Sequence, residues 1–142
     1  MVSHDEEVKS LMLDLLEGFI WFDQQLQAHL DSEGMPTVNR TESMIMLLAG
    51  SGVRRPTELA KKLGLARQTI NSSLRALETK KLIRLVVDPE DRRCKYIEPA
   101  ASGKKMYAVA QEGLQLSERT LQSRIGVRRF EALATSLAAT WR

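Results

Sequence analysis

The stretch Pro56-Thr57-Glu58-Leu59-Ala60-Lys61-Lys62-Leu63-Gly64-Leu65-Ala66-Arg67-Gln68-Thr69-Ile70-Asn71-Ser72-Ser73-Leu74-Arg75-Ala76-Leu77 decides the fold. Proline's fixed φ suits an opening helical turn, so a helix is predicted over Thr57 to Leu63, and Gly64 stands where a left-handed cap is cheapest. After Leu65-Ala66 a second helix over 66–80 carries Ile70, Leu74 and Leu77 at i, i+4 and i+7. Two short helices joined by a glycine turn, the second anchored by one aliphatic face, have the spacing of a helix-turn-helix.

The outward face of that second helix carries Arg67, Gln68, Thr69, Asn71, Ser72 and Arg75, with no acidic residue before Glu78. Arginine pairs bidentately with guanine, asparagine and glutamine with adenine, and hydroxyls reach backbone oxygens or either base class. The plainer alternative is an exposed polar helix of arbitrary content. The charge balance of the chain favours the first reading. Residues 1–52 hold two basic and nine acidic side chains, residues 53–105 fourteen and six, and residues 106–142 five and three. The net values are −7, +8 and +2. A concentrated positive surplus around a helix-turn-helix is the footprint of a segment that meets phosphate.

Downstream, Ile83-Arg84-Leu85-Val86-Val87 and Lys95-Tyr96-Ile97 are short β-rich runs flanking the charged tip Asp88-Pro89-Glu90-Asp91-Arg92-Arg93. A two-stranded ribbon of this kind carries Arg92 and Arg93 far enough to enter a minor groove. Asp91 either orients one of these arginines or is simply a turn residue after Pro89.

Upstream, Ser3 and Glu6 have capping-box spacing, so a helix is predicted to start there and run to about Leu30, with the seam Val8, Met12, Leu15, Phe19, Phe22, Leu26 and Leu30. Leu13, Leu16 and Ile20 widen that face beyond one seam. Asn39 and Glu42 form a second candidate cap, opening a short helix through Met44, Ile45, Leu47 and Leu48 that Gly50-Ser51-Gly52 stops. Val53-Arg54-Arg55 is read as a short strand or extended link. Helical stripes follow at Met106, Val109, Ala110, Gly113, Leu114, Leu116 and Leu121, and at Phe130, Leu133, Leu137 and Trp141. More apolar helix face is present than 142 residues bury alone, which points to a homodimer. The predicted class is mainly α with a small β-wing: a winged helix-turn-helix core plus N- and C-terminal dimerisation helices. Residues 1–36 and 101–142 form the helical dimerisation region, and 37–100 the DNA-binding region.

Other classes lack their chemistry. No run approaches the ~18 apolar residues of a membrane span, and the acidic start Met1 to Glu7 is unlike a basic signal-peptide opening. The chain is therefore expected to be cytoplasmic, without a membrane partner. Cys94 has no internal disulfide partner, and His4 and His29 lack zinc-ligand spacing, so no metal and no cofactor are expected. An enzyme would need an arranged nucleophile, base or phosphate loop, and none is legible; no catalytic residue is assigned. A winged helix used for protein contact stays open as an alternative.

The segment Pro56 to Gly64, the helix after it, Leu82-Ile83 and the tip Asp88 to Arg93 together resemble the winged helix-turn-helix of the MarR transcription regulators. The most specific element is Asp91-x-Arg93 followed ten residues later by Gly103, which is similar to the family's D-x-R signature and closing glycine. The resemblance implies a dimer built by the flanking helices and a duplex-DNA operator. It places the outward residues of 66–80 in the major groove, Arg92 and Arg93 on the wing, and Asp91 behind Arg93. Three positions depart from the family pattern. Ala100 replaces a capping threonine, with Ser102 as candidate substitute. Lys81 stands where a glycine is common, which makes a left-handed cap less comfortable. Leu85-Val86-Val87 is more apolar than the often basic strand entering the wing.

The resemblance further implies release of DNA by a small aromatic or lipophilic effector between the dimerisation helices and the DNA-binding lobe. Trp21, on a mostly polar helix side, needs a cover: the partner subunit or a ligand pocket. Phe22, Arg40 and Met44 complete the candidate effector set, although each also reads as core, surface charge or packing. The competing switch is oxidation of Cys94, whose neighbours Arg92, Arg93 and Lys95 favour a thiolate; an inert cysteine is the alternative.

Overall fold

The computed structural model describes residues 10–141. Six helices and two strands follow in the order α1 (Leu11–Ser32), α2 (Arg40–Gly50), α3 (Pro56–Leu63), α4 (Arg67–Thr79), β1 (Ile83–Val87), β2 (Lys95–Pro99), α5 (Ala101–Ile125) and α6 (Val127–Thr140). The helix-turn-helix forms as its local chemistry dictates. Pro56 opens α3, and Gly64 ends it at φ 64°, a left-handed conformation that any Cβ would strain. α4 then buries Ile70, Leu74 and Leu77, the three positions of its aliphatic face.

The two strands pair antiparallel with Ile83 opposite Pro99, Leu85 opposite Ile97 and Val87 opposite Lys95. Val53-Arg54-Arg55 forms no strand, but the Arg54 carbonyl accepts the Ile97 amide at 2.8 Å and so ties the link before α3 to the wing. Leu59, Ile70, Leu74, Leu77, Leu82, Ile83 and Ile97 of the lobe join Leu26, Leu30, Ile45, Met46 and Met106 of α1, α2 and α5 in one core. The helix-turn-helix lobe is thus seated on the long helices rather than tethered to them.

Two terminal expectations are corrected. A helix continuous from Ser3 is excluded by Ser10, which is extended (φ −130°, ψ 130°) and precedes the first turn of α1. The Ser3–Glu6 pair and Val8 lie outside the described residues. At α5, Ser102 does not replace the missing cap: Ala100 has no side-chain cap bond, and the Ser102 hydroxyl donates to the Lys81 carbonyl at 2.6 Å. That bond braces Lys81, the one non-glycine residue of positive φ (62°) among the described residues. Asn39 and Glu42 do form a capping box at the start of α2.

The outer helices leave their apolar stripes uncovered. Leu11 and Met12 are 73% and 74% exposed, and Leu13, Leu16 and Phe19 continue the same open surface. No residue of α6 is buried, and Val127, Leu133 and Trp141 stand out from it. In α5 the buried line is Gly103, Met106, Ala110, Gly113 and Ser117, whereas Leu116 of the apolar stripe is exposed.

Candidate nucleic-acid interface

Arg67, Gln68, Thr69, Asn71, Ser72 and Arg75 are all exposed on α4, opposite its buried aliphatic line. α4 is preceded by Ala66 at its N-cap, which offers no side-chain cap, and its first turn has no acid. The free amides and positive dipole end are therefore open to an anion. Arg75 lies back along the helix, its Nε 3.4 Å from the Asn71 carbonyl, so these two side chains occupy one patch.

The wing closes a groove against this helix. One depression is lined by Thr57, Arg67, Arg93, Cys94 and Lys95, and a second by Arg67, Asn71, Arg75, Leu85 and Lys95. Arg67 and Lys95 belong to both and join α4 to β2 across a basic floor. Four carboxylates reach the two depressions: Glu78 is exposed at the end of the second, and the three of the first are engaged internally. Asp88, 3% exposed, accepts Arg55 Nε at 2.7 Å and Nη2 at 3.2 Å, and Arg55 Nη2 also donates to Glu90 at 2.8 Å. Asp91 Oδ1 accepts both the backbone amide and Nε of Arg93, at 3.1 and 3.2 Å. Asp91 is thus a turn residue and a hold on Arg93 at once. Arg67, Arg92 and Lys95 form no ion pair among the described residues.

The hydrogen bond from Arg55 holds the Asp88 carboxyl below its ordinary value, helped by the Glu90 amide; in turn the carboxylates of Asp88 and Glu90 push the Arg55 guanidinium up. The Arg93 side chain likewise lowers Asp91. A carboxylate depressed by folding adds stability above its unfolded value, and that contribution disappears as pH falls through the folded one. Acid titration of the wing, followed by amide exchange of β1 and β2, is expected to show loosening only in the acidic range below ordinary carboxylate values. Asp88→Asn is expected to loosen the wing at neutral pH and to flatten this dependence; an unchanged acid profile would remove Asp88 from the wing's anchor.

Arg55 was not legible as a functional residue, because its partners lie 33 and 35 positions away. The adjoining signal was an arginine placed directly before the helix-opening proline, facing the Asp88-Pro89-Glu90 turn once the wing folds back.

The candidate effector residues are only partly brought together. Trp21 packs edge-on against Phe22 at 4.9 Å and lies under the Arg124 guanidinium at 5.3 Å, so its cover includes α5 of its own chain. Arg40 sits 5.8 Å over Phe19 and donates to Asp23, itself only 6% exposed, at 2.9 Å. Met44 packs against the core. The cavity between α1, α2 and α5 is lined by Leu26, Leu30, Ser43, Met46, Leu47, Met106, Tyr107 and Ala110 instead, and its volume of about 10 Å³ admits no more than a water. Cys94 is exposed, and its thiol donates to an Asp91 oxygen at 3.6 Å, a carboxylate that the reading of a cation-lined thiolate did not include.

Two helices, a left-handed glycine turn and a two-stranded wing sharing one basic groove define a winged helix-turn-helix protein. Residues 43–93, from within α2 to the wing tip, match the sequence model of the MarR family. That match covers about a third of the chain, and the chain as a whole has the fold of several solved proteins. The transcriptional repressor CouR bound to a 23-mer DNA duplex is similar over 100% of this chain and 99% of its own, with TM-score 0.77 and 21% identity. NadR in complex with 4-hydroxyphenylacetate is similar over 97% and 96%, with TM-score 0.74 and 18% identity. MepR of S. aureus, solved as a DNA complex, is similar over 92% and 95%, with TM-score 0.69 and 24% identity. No curated protein matches the sequence. No helix among the described residues is long and apolar enough to cross a membrane, and no group of three or more His, Cys, Asp or Glu among them is placed to hold a metal ion.

Proposed function

We propose that the chain is a homodimeric MarR-type transcription regulator, in the first instance a repressor, that binds a pseudo-palindromic DNA operator. The observation that carries this reading is the groove shared by α4 and the wing, where the wing's own acids Asp88, Glu90 and Asp91 are internally paired while Arg67, Arg92 and Lys95 keep their charge for an outside anion. Residues 37–100 are the DNA-binding region. Arg67, Gln68, Thr69, Asn71, Ser72 and Arg75 face the major groove, Arg92 and Arg93 the adjacent minor groove, and Asp91 sets the pose of Arg93.

Residues 1–36 and 101–142 supply the dimer. The uncovered stripes of α1 and α6 support this, because apolar surface on that scale marks an interface. A two-fold dimer presents its two α4 helices to successive major grooves, roughly 34–36 Å apart. The effector part of the reading places a small aromatic or lipophilic molecule near Trp21, Phe22, Arg40 and Met44. A carboxylate there competes with Asp23 for Arg40.

Selection of duplexes from a randomised library tests the assignment. The wild-type chain is expected to enrich an inverted repeat. Arg75→Ala or Asn71→Ala is expected to relax one position in each half-site, at a cost of about 1–3 kcal/mol there. Unchanged preferences would move base reading away from this face, and no DNA binding at all would favour a winged helix used for protein contact.

A further inference from the structure

Glu42, the third residue of α2, is 2% exposed. Its Oε1 accepts the Asn39 amide at 2.8 Å while Asn39 Oδ1 accepts the Glu42 amide at 2.8 Å. Capping accounts for an acceptor at this position but not for a charge, since glutamine serves equally well. The charge is met from elsewhere in the chain. Lys80 Nζ donates to both Glu42 oxygens at 2.9 Å, across 38 residues of sequence.

Lys80 is the C-cap of α4, so its ammonium also faces the negative end of that helix's dipole. The same turn of α2 is held from its other side by α1. Arg40 reaches the buried Asp23 at 2.9 Å, and Gln27 donates to Ser43 at 3.1 Å. One helical turn therefore joins α1 to the far end of α4. The remaining hold on α4 is the aliphatic line Ile70, Leu74 and Leu77, and dispersion contacts tolerate small rotations that two short charged hydrogen bonds do not.

We propose that Glu42 and Lys80 are a positioning pair that fixes the pose of α4 against α2, and that DNA selectivity requires them for this and not for a phosphate contact by Lys80. The proposal rests on the DNA-binding reading, and one arm of its test does not. Glu42→Gln keeps the cap and removes the charge. In the full chain without DNA, amide exchange over residues 76–79 is expected to accelerate.

With DNA, preference for a selected operator over scrambled duplex is expected to fall about tenfold, with the salt dependence of binding unchanged. Lys80→Met leaves a buried carboxylate unpaired and is expected to destabilise the fold. The double variant Glu42→Gln, Lys80→Met removes both charges and is expected to recover stability but not selectivity. Unaltered exchange in Glu42→Gln overturns the proposal. So does an equal loss on operator and scrambled DNA, or a salt slope in the double variant shallower by about one, the mark of a lost phosphate contact. A wild-type chain with no sequence preference rejects the DNA reading, and amide exchange still decides whether the pair positions α4.

Discussion

Replacing Arg92 and Arg93 together by alanine is expected to weaken DNA binding by about a hundredfold near 0.1 M salt, with each charged contact contributing roughly 1.5 kcal/mol. Both side chains stand at the exposed tip between β1 and β2, and Arg93 is 90% exposed, so nothing in the core depends on them. Thermal unfolding should be unchanged. The slope of log affinity against log salt should flatten by roughly 1.8, the value for two released counterions. Asp91→Ala separates charge from pose. It leaves both cations in place but frees Arg93 from the two bonds at 3.1 and 3.2 Å, so affinity should fall by less and the slope should stay. If instead the double alanine variant bound like the wild type, the wing would have no part in DNA contact.

The largest effect on stability is expected at Gly103. A Cβ there would overlap the Leu82 carbonyl oxygen and approach Met46 Cε to 3.1 Å. The Leu82 carbonyl cannot yield easily, because it accepts the Ala100 amide at 3.0 Å and ends the turn that leaves α4. Backbone therefore meets backbone where α5 crosses the base of the lobe. Gly103→Ala should cost about 3 kcal/mol and lower the midpoint of thermal unfolding by roughly 10 °C. Gly18, in the middle of α1 with nothing within 4 Å of its would-be Cβ, is the control. There the same change should stabilise by about 0.5–1 kcal/mol through helix propensity. Equal effects at the two positions would remove close packing as the reason for Gly103.

Elements set by neighbouring residues were legible from the sequence. Pro56, Gly64 and the Ile70, Leu74, Leu77 line specify two helices and a turn within about 22 residues, and the structure has them with boundaries shifted by a residue. The Asn39–Glu42 capping box and the two strands are of the same local kind. A spacing pattern is silent where a distant residue decides the outcome. Arg55 became visible only when the wing brought Asp88 and Glu90 to it, and Lys80 only when α4 ended beside α2.

The cover on Trp21 is Arg124, more than a hundred positions away, which no helical wheel of α1 can contain. Ser102 turned to the Lys81 carbonyl because the left-handed Lys81 places an acceptor beside the start of α5. The seam of α1 was legible as apolar surface, but its first two turns meet no core within one chain. Periodicity reports that a face is to be covered and not by what.

The central claim is tested most directly by fluorescence anisotropy of the full chain against duplex DNA from upstream of its own gene, at two salt concentrations, with scrambled duplex alongside. The expected result is tight, sequence-preferring binding at two chains per duplex, weakening steeply with salt as lysine and arginine contacts release counterions. Binding that did not change with salt, or its absence from both duplexes at low salt, would contradict a DNA-binding role for the groove between α4 and the wing.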